Sequence, residues 1–328
     1  MTRVVRIVPE VPAMYHEAVQ RYLGSAGVAE SSRRVYRISL ITWAWLLAGD
    51  QPPTLRRGAR PPDMPLAVLD DPGLPSRLAA CFSVRAARAD AGTLNRELSV
   101  LRAAISWWQA QGWGVGDPSR SLSRLPAPPD RTRALSRDEV AAVLRMDVAV
   151  REKTYWRLLY ESAARADEVL SLDIGDLDIR NKRARVVSKG GAVEWIHWQS
   201  GTAQLLPRLL RSRQAGPVFL TDRRAPARTP ALDVCPITGR ARLSYRRAAE
   251  LFTHATRAFD QSGTGWTLHQ LRHSDLTHEA EDGASTPMLL ARSRHASVRS
   301  LERYARPGVD AVGAYVAHRD PAARRRRC

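Results

Sequence analysis

Lysine is nearly missing from this chain. Only Lys153, Lys182 and Lys189 carry an ammonium among 51 Lys and Arg residues, so every other basic side chain is a guanidinium. Such scarcity makes each lysine worth placing. Cysteine is scarce too. Cys81, Cys235 and Cys328 are odd in number, far apart and never in a C-x-x-C pair, which supports neither a disulfide framework nor a cysteine zinc site. That usage fits a reducing cytoplasm. No apolar run approaches the roughly 18 residues of a membrane span. The opening Met1-Thr2-Arg3-Val4-Val5-Arg6 runs on to Pro9 without the apolar centre of a signal peptide. There is no Gly-rich phosphate loop of the Walker type, so nucleotide-driven chemistry is not expected. Acidic residues number only 33, which leaves a formal net charge of +18.

What is present points to a polyanion. A chain this basic, with a pI near 11.0, is expected to meet nucleic acid first of all. Its 328 residues, 44% of them hydrophobic, suffice for two domains with real cores.

The apolar periods outline a mainly α-helical chain with a small antiparallel β-sheet. Met14, Ala18, Val19, Tyr22 and Leu23 recur at helical spacing over 12–24. Ser31 and Ser32 offer a cap to a second helix whose apolar positions are Val35, Ile38, Ile41, Trp45 and Leu46. Arg33, Arg34 and Arg37 fall on or beside its polar face. Prolines then crowd the stretch from Asp50 to Pro75, so 51–65 is expected to be an exposed loop carrying Arg56, Arg57 and Arg60. A short helix over 78–88 and a longer one from Thr93 complete an all-α first third. In the longer one Leu94, Leu98, Leu101, Ala104, Ile105 and Trp108 stand three and four apart. From 119 to 133, Pro126, Pro128 and Pro129 stand among Arg120, Arg124, Arg131 and Arg133 with no apolar period, as in a linker. The expected organisation is a helical domain over 1–118, a linker over 119–133 and a second domain over 134–328.

Order restarts at Leu135, where Ser136 and Glu139 form an S-x-x-E capping box. Residues 156–172 read as one helix with Arg165 inside it and Glu168 three residues on, within ion-pairing reach. Three β segments follow at 177–179, 183–187 and 193–198, with turns at Arg180-Asn181 and Ser188-Lys189-Gly190-Gly191. Lys189 thus stands at a hairpin tip. Helices are expected at 202–213 and 244–258, with loop-like chain over 217–236 apart from Val218-Phe219-Leu220. After Arg306-Pro307-Gly308, Val309, Val312 and Val316 make a small apolar face that is marginal alone and needs a partner surface. The arginines at 324–327 are a basic end.

Chemistry is densest between His269 and Tyr304. The segments His269-Gln270-Leu271-Arg272-His273, Arg292-Ser293-Arg294-His295 and Leu301-Glu302-Arg303-Tyr304 supply imidazoles, guanidiniums and a phenol. These are the parts needed to attack a phosphodiester. Arg presents a rigid fork to phosphate oxygens, and His moves protons near neutral pH. A phenol with a free pKa of roughly 10 needs a cationic pocket to become a nucleophile. Other readings stand beside this one. His269 and His273, four apart on a helix, would also suit zinc or a packed surface. A structural salt bridge accounts for Arg165 and Glu168, and plain solvation accounts for a lysine at a turn.

In chain order, Arg165, Lys189, His269-x-x-Arg272, His295 and Tyr304 resemble the signature of the tyrosine recombinase (phage integrase) family. The Arg165 segment looks like that family's first arginine box, and Lys189 falls at the turn of its hairpin lysine. His269 to His273 looks like the second box, and His295 keeps the family's spacing of nine residues before Tyr304. The resemblance covers residues 135–316 well and the helical first part more weakly. Three departures stand out. Arg294 replaces the glycine usual before His295, Ala163 stands where glycine is common, and no basic residue follows the hairpin glycines.

The resemblance implies an all-α core-binding domain followed by an α+β catalytic domain. It implies DNA cutting and rejoining through a covalent 3′-phosphotyrosine, without ATP, metal or cofactor. Tyr304 would be the nucleophile. Arg165 and Arg272 would clamp the non-bridging oxygens, Lys189 would protonate the leaving 5′-oxygen, His269 would assist proton transfer and His295 would hydrogen-bond the phosphate. Glu168 would orient this scaffold. The implied partners are double-stranded DNA, held by both domains as a clamp, and further copies of the chain in a tetramer on paired sites. The short stretch before the first helix leads us to expect a simple two-domain form. Two other functions share these residues or this fold: a type IB topoisomerase and a non-catalytic DNA-binding relative.

Overall fold

A computed structural model describes residues 11–25, 28–53, 59–126, 134–188, 191–295, 297–301 and 309–320. The chain divides into two units, residues 1–129 and 130–328, each with its own hydrophobic core.

Helices α1 (Tyr15–Ser25), α2 (Glu30–Leu47), α3 (Leu74–Ala86) and α4 (Ala91–Ala110) build the first unit, with a 3-10 turn at Leu66–Asp70. Asp90 starts α4 by accepting a hydrogen bond from the Thr93 amide at 3.0 Å, which satisfies one of the donors left open at a helix start. Leu94, Leu98, Leu101, Ala104 and Trp108 then form the buried stripe. Trp43 and Trp108 tie α2 and α1 to it through indole N–H bonds to the carbonyls of Glu97 and Ala18.

Two expectations fail here. α2 begins at Glu30 with Ala29 at the cap position and no side-chain cap bond, so the two serines lie inside its first turn. Its buried face is Leu40, Trp43, Ala44, Leu46 and Leu47, whereas Val35 and Ile38 are exposed. Apolar residues wrap most of this helix, so period alone does not choose a side; packing against α4 does. The first half of the expected linker is also not free. Arg102 donates to the carbonyls of Ser119 and Leu122, Asn95 pairs with both backbone groups of Leu125, and Leu122 enters the core. Arg60 is exposed as expected, while Arg56 and Arg57 lie outside the described residues.

The second unit opens with α5 (Arg137–Arg145), where the Ser136–Glu139 capping box forms as its sequence requires. The stretch expected as one helix is two: α6 (Val150–Ser162) and α7 (Ala166–Ser171). They part at Ala163, which takes the left-handed conformation at φ 49°. Strands β1 (Leu177–Asp178), β2 (Arg183–Val187) and β3 (Val193–His197) pair antiparallel in the order β1-β2-β3. Ala184, Val186 and Ile196 supply the buried side of this sheet. After α8 (Ser200–Leu210) comes a second antiparallel pair, β4 (Leu220–Arg224) and β5 (Arg240–Arg242). This pair falls partly in the stretch expected to be loop; Arg223, Arg224 and Arg240 face water and leave no alternation to read. Arg242 anchors it by donating to the carbonyls of Leu170, Ser171 and Leu172 at the end of α7, groups that a helix end leaves open.

Helices α9 (Tyr245–Thr256), α10 (Leu268–Glu281), α11 (Thr286–Ser293), α12 (Val298–Leu301) and α13 (Val309–Arg319) complete the chain. α10 runs against α6 through the core that includes Trp156, Phe252 and Leu271. The turn before it needs Gly265, whose φ of 84° and approach to the Thr253 carbonyl leave no room for a Cβ. No helix among the described residues is long and apolar enough to cross a membrane.

Candidate active site

The break between α6 and α7 supplies the first half of the site. Ala163 turns the chain out of the helix, so its carbonyl becomes an acceptor for Nη1 of Arg272 on α10. Two residues on, Arg165 takes the cap position of α7 in extended conformation. Glu168 reaches back to it twice: Oε2 accepts from the Arg165 amide at 2.8 Å and Oε1 from Nη1 at 2.7 Å. Glu168 thus holds one fork nitrogen, Nη2 meets the Arg294 carbonyl at 3.5 Å, and the Arg165 side chain stays 40% exposed while Glu168 is 6% exposed.

α10 supplies the second half. Arg272 is 2% exposed. Besides the Ala163 carbonyl, its Nη2 meets the Ser293 carbonyl at 2.6 Å and His295 Nε2 at 3.4 Å. Carbonyls orient a guanidinium without neutralising it. One turn further, buried Asp275 accepts from Arg292 Nη2 at 3.0 Å, and the same nitrogen donates to the Glu161 carbonyl at the end of α6. Burial pushes the Asp275 carboxyl up to about 7 in spite of that arginine. This triangle fixes α11, and with it Ser293 and His295, against α10 and α6.

Arg294, at the end of α11, has a left-handed backbone at φ 54° and ψ 40°, which costs a residue with a Cβ about 1–2 kcal/mol. Its guanidinium is 4% exposed and meets Glu168 Oε2 at 2.5 Å. Burial works against ionisation of Glu168, but the Arg294 charge and the bonds from Arg165 outweigh it, and the carboxyl lies below its ordinary range. Arg165, Ser188, Glu194, Leu290, Ala291, Arg294 and His295 line an open cleft of about 520 Å³.

Of the residues singled out in the sequence, Arg272 meets His295, and Arg165 lines the same cleft as His295, with Glu168 holding Arg165. His269 is exposed on the first turn of α10, three residues before Arg272, while His273 is buried. Lys189 and Tyr304 lie outside the described residues. Their flanks are described. Ser188 and Ala192 close the turn between β2 and β3 through a 2.8 Å backbone bond. Leu301, three residues before Tyr304, is fully buried with Ala163, Leu276 and Leu289. The roles of Asp275, Arg292 and Arg294 were not legible in sequence, since a carboxylate and two arginines in so charged a chain carry no signal of burial. Among the described residues no group of three or more His, Cys, Asp and Glu side chains is placed to hold a metal ion.

Residues 133–309 match the family model described as "Phage integrase family", more than half of the chain. The chain belongs to the phage integrase family, the tyrosine recombinases. Among curated members it is 28% identical over 290 residues to tyrosine recombinase XerC of Mycobacterium leprae, covering 85% of this chain and 89% of that protein. It is 24% identical over 307 residues to tyrosine recombinase XerD of Ralstonia nicotianae, covering 90% and 91%. Among solved structures, the Tn1549 transposon integrase in complex with a circular intermediate DNA superposes with a TM-score of 0.65 at 14% identity, covering 94% of this chain and all of that one. A lambda integrase dimer bound to a COC′ core site gives 0.62 at 16% identity, covering 89% and 77%. The fold of this recombinase is thus the family's. Its two glycine departures, Ala163 and Arg294, are both left-handed: the backbone keeps the conformation for which glycine is suited, and the residues bear the strain.

Proposed function

We propose that this recombinase cuts and rejoins double-stranded DNA at specific sites through a covalent 3′-phosphotyrosine. The Tyr304 oxygen attacks the scissile phosphorus, the bond to the 5′-oxygen breaks, and Lys189 gives that oxygen its proton. Phosphodiester energy is kept in the tyrosine ester, so attack by a 5′-hydroxyl of the partner strand restores DNA without a nucleotide. Arg165 and Arg272 hold the non-bridging oxygens, whose charge grows in the transition state. His295 hydrogen-bonds the phosphate, and His269 assists proton transfer near Tyr304. The observation that carries this reading is that Arg272, held by the Ala163 and Ser293 carbonyls, meets His295, and that Arg165 and His295 line one cleft. Two guanidiniums held by carbonyls and one carboxylate leave net positive charge for an anion.

The first unit would be the core-binding domain and the second the catalytic domain, both contacting the phosphate backbone, which positions without reading sequence. A DNA-bound tetramer on paired sites, in the cytoplasm, fits the cysteine usage and the exposed apolar side chains Val309, Val312, Tyr315 and Val316 of α13. Tyr304→Phe tests the nucleophile. It is expected to abolish the SDS-resistant adduct with a nicked suicide duplex while half-site binding in a gel shift stays near wild type. An adduct formed by the variant would place the nucleophile elsewhere.

A further inference from the structure

Arg294 stands where glycine would serve the backbone at no steric expense. Its side chain is nevertheless buried and paired. Nη1 donates to the Arg292 carbonyl at 3.1 Å, Nη2 to Glu168 on α7, and Nε faces Oε2 of Glu194 on β3 at 3.6 Å. Glu194 pairs across the hairpin with buried Val186 and lies two residues from buried Ile196, so it is on the inward side of the sheet. Its side chain is 33% exposed and faces the Arg294 guanidinium, which is 4% exposed. Neither Arg294 Nε nor that Glu194 oxygen has a hydrogen-bond partner among the described residues, and the ion pair is what each has. Charges thus alternate from Arg165 through Glu168 and Arg294 to Glu194, on the strand that follows the Lys189 turn.

We propose that Arg294 is a positioning residue that ties β3, and through it the Lys189 hairpin, to the Arg165 site by way of Glu194 and Glu168. The proposal rests on the general-acid reading of Lys189 given above. A glycine at this position makes neither bond, so the tie belongs to this chain's departure from the family pattern.

The test uses the full-length protein and two nicked suicide duplexes. One carries the ordinary scissile phosphodiester and the other a 5′-thio leaving group, which departs without a proton. Lys189→Ala is the reference and should slow ordinary cleavage by about a hundredfold or more while sparing the thio substrate. Arg294→Gly is expected to slow ordinary cleavage about tenfold and the thio substrate far less, a fold-change in the range of network couplings. Glu194→Gln should show the same bias more weakly, and the double variant should be no worse than Arg294→Gly. Arg294→Lys, which keeps the charge but not the fork, should fall between. Equal slowing of both substrates by Arg294→Gly, with Lys189→Ala rescued by sulfur, overturns the tie and leaves Arg294 a support of the fold. If Lys189→Ala is not rescued, the general-acid reading fails by itself, and additivity decides the tie: additive Arg294 and Glu194 effects reject it, non-additive effects sustain it. Should Arg294→Gly lose half-site binding or its melting transition, Glu194→Gln decides, with a bias toward the ordinary substrate supporting the tie and no bias overturning it.

Discussion

Arg292 and Asp275 meet at 3.0 Å between α11 and α10, with side chains 23% and 4% exposed. Removing one partner of a buried pair strands the other charge, which costs about 3–5 kcal/mol. Burial pushes Asp275 up to about 7, so the charge is stranded only above that value, and Arg292→Ala is expected to lower the stability of the full-length protein by that order in urea unfolding at about pH 9. Adding Asp275→Asn should return much of the loss, because the orphaned group is then neutral. No recovery in the double variant would mean that Arg292 acts through the Glu161 carbonyl instead. Glu168 makes a prediction about pH. Its folded carboxyl is held below the ordinary value of 4.5, so the folded state binds its proton less readily than the unfolded chain. The linked stability is present above the unfolded value and is lost as pH falls from about 5 through the folded one. Glu168→Gln should flatten the acid side of the melting-temperature profile; a profile as steep as wild type would assign that slope to other carboxylates.

At the scale of elements, α2 tests how far a hydrophobic period chooses a face. Leu40 is fully buried and Ile38 is 43% exposed, although both lie in one apolar run. Leu40→Ala should destabilise the first unit by about 2–5 kcal/mol, whereas Ile38→Ala should stay within about 0.5 kcal/mol. Limited proteolysis of the full chain reads both, since cleavage within 11–126 tracks opening of that unit. Comparable sensitivity of the two variants would put Ile38 in a core. The break between α6 and α7 has the opposite character. Nothing in Glu161-Ser162-Ala163-Ala164-Arg165 stops a helix, because Ala is the best helix former. The break persists because the Ala163 carbonyl bonds Arg272 and Glu168 caps α7 from within, and an unbroken helix would forfeit both.

The whole molecule poses the question of assembly. α13 shows Val309 at 89%, Val312 at 49% and Val316 at 61% exposure, an apolar set that a single chain leaves in water. Docking on a neighbouring protomer would cover it and couple activation to assembly. Truncation after Gly308 is expected to leave a protein that binds a half-site but loses cooperative binding to paired half-sites and loses recombination. Gel-shift titrations of both proteins on full and half sites measure this. Unchanged cooperativity in the shortened chain would return the helix to its own catalytic unit.

What the sequence by itself determined is local or ordinal. The Ser136–Glu139 capping box, the β2–β3 hairpin and the start of α10 at Thr267 with Gln270 each depend on residues three to fourteen apart. The order of Arg165, Lys189, His269, Arg272, His295 and Tyr304 is likewise carried by the chain itself, and it sufficed for the family. Tertiary structure decided what distant segments do to one another. Arg272 and the Ala163 carbonyl are 109 residues apart, and Arg294 and Glu168 are 126 apart. Read along the chain, Ala163 continues a helix and Arg294 only disturbs a glycine turn. In the fold both take left-handed backbone, because the carbonyl of one orients a guanidinium and the side chain of the other pairs with a buried carboxylate. Buried charge must find its partner wherever the fold brings one, and no local period records that.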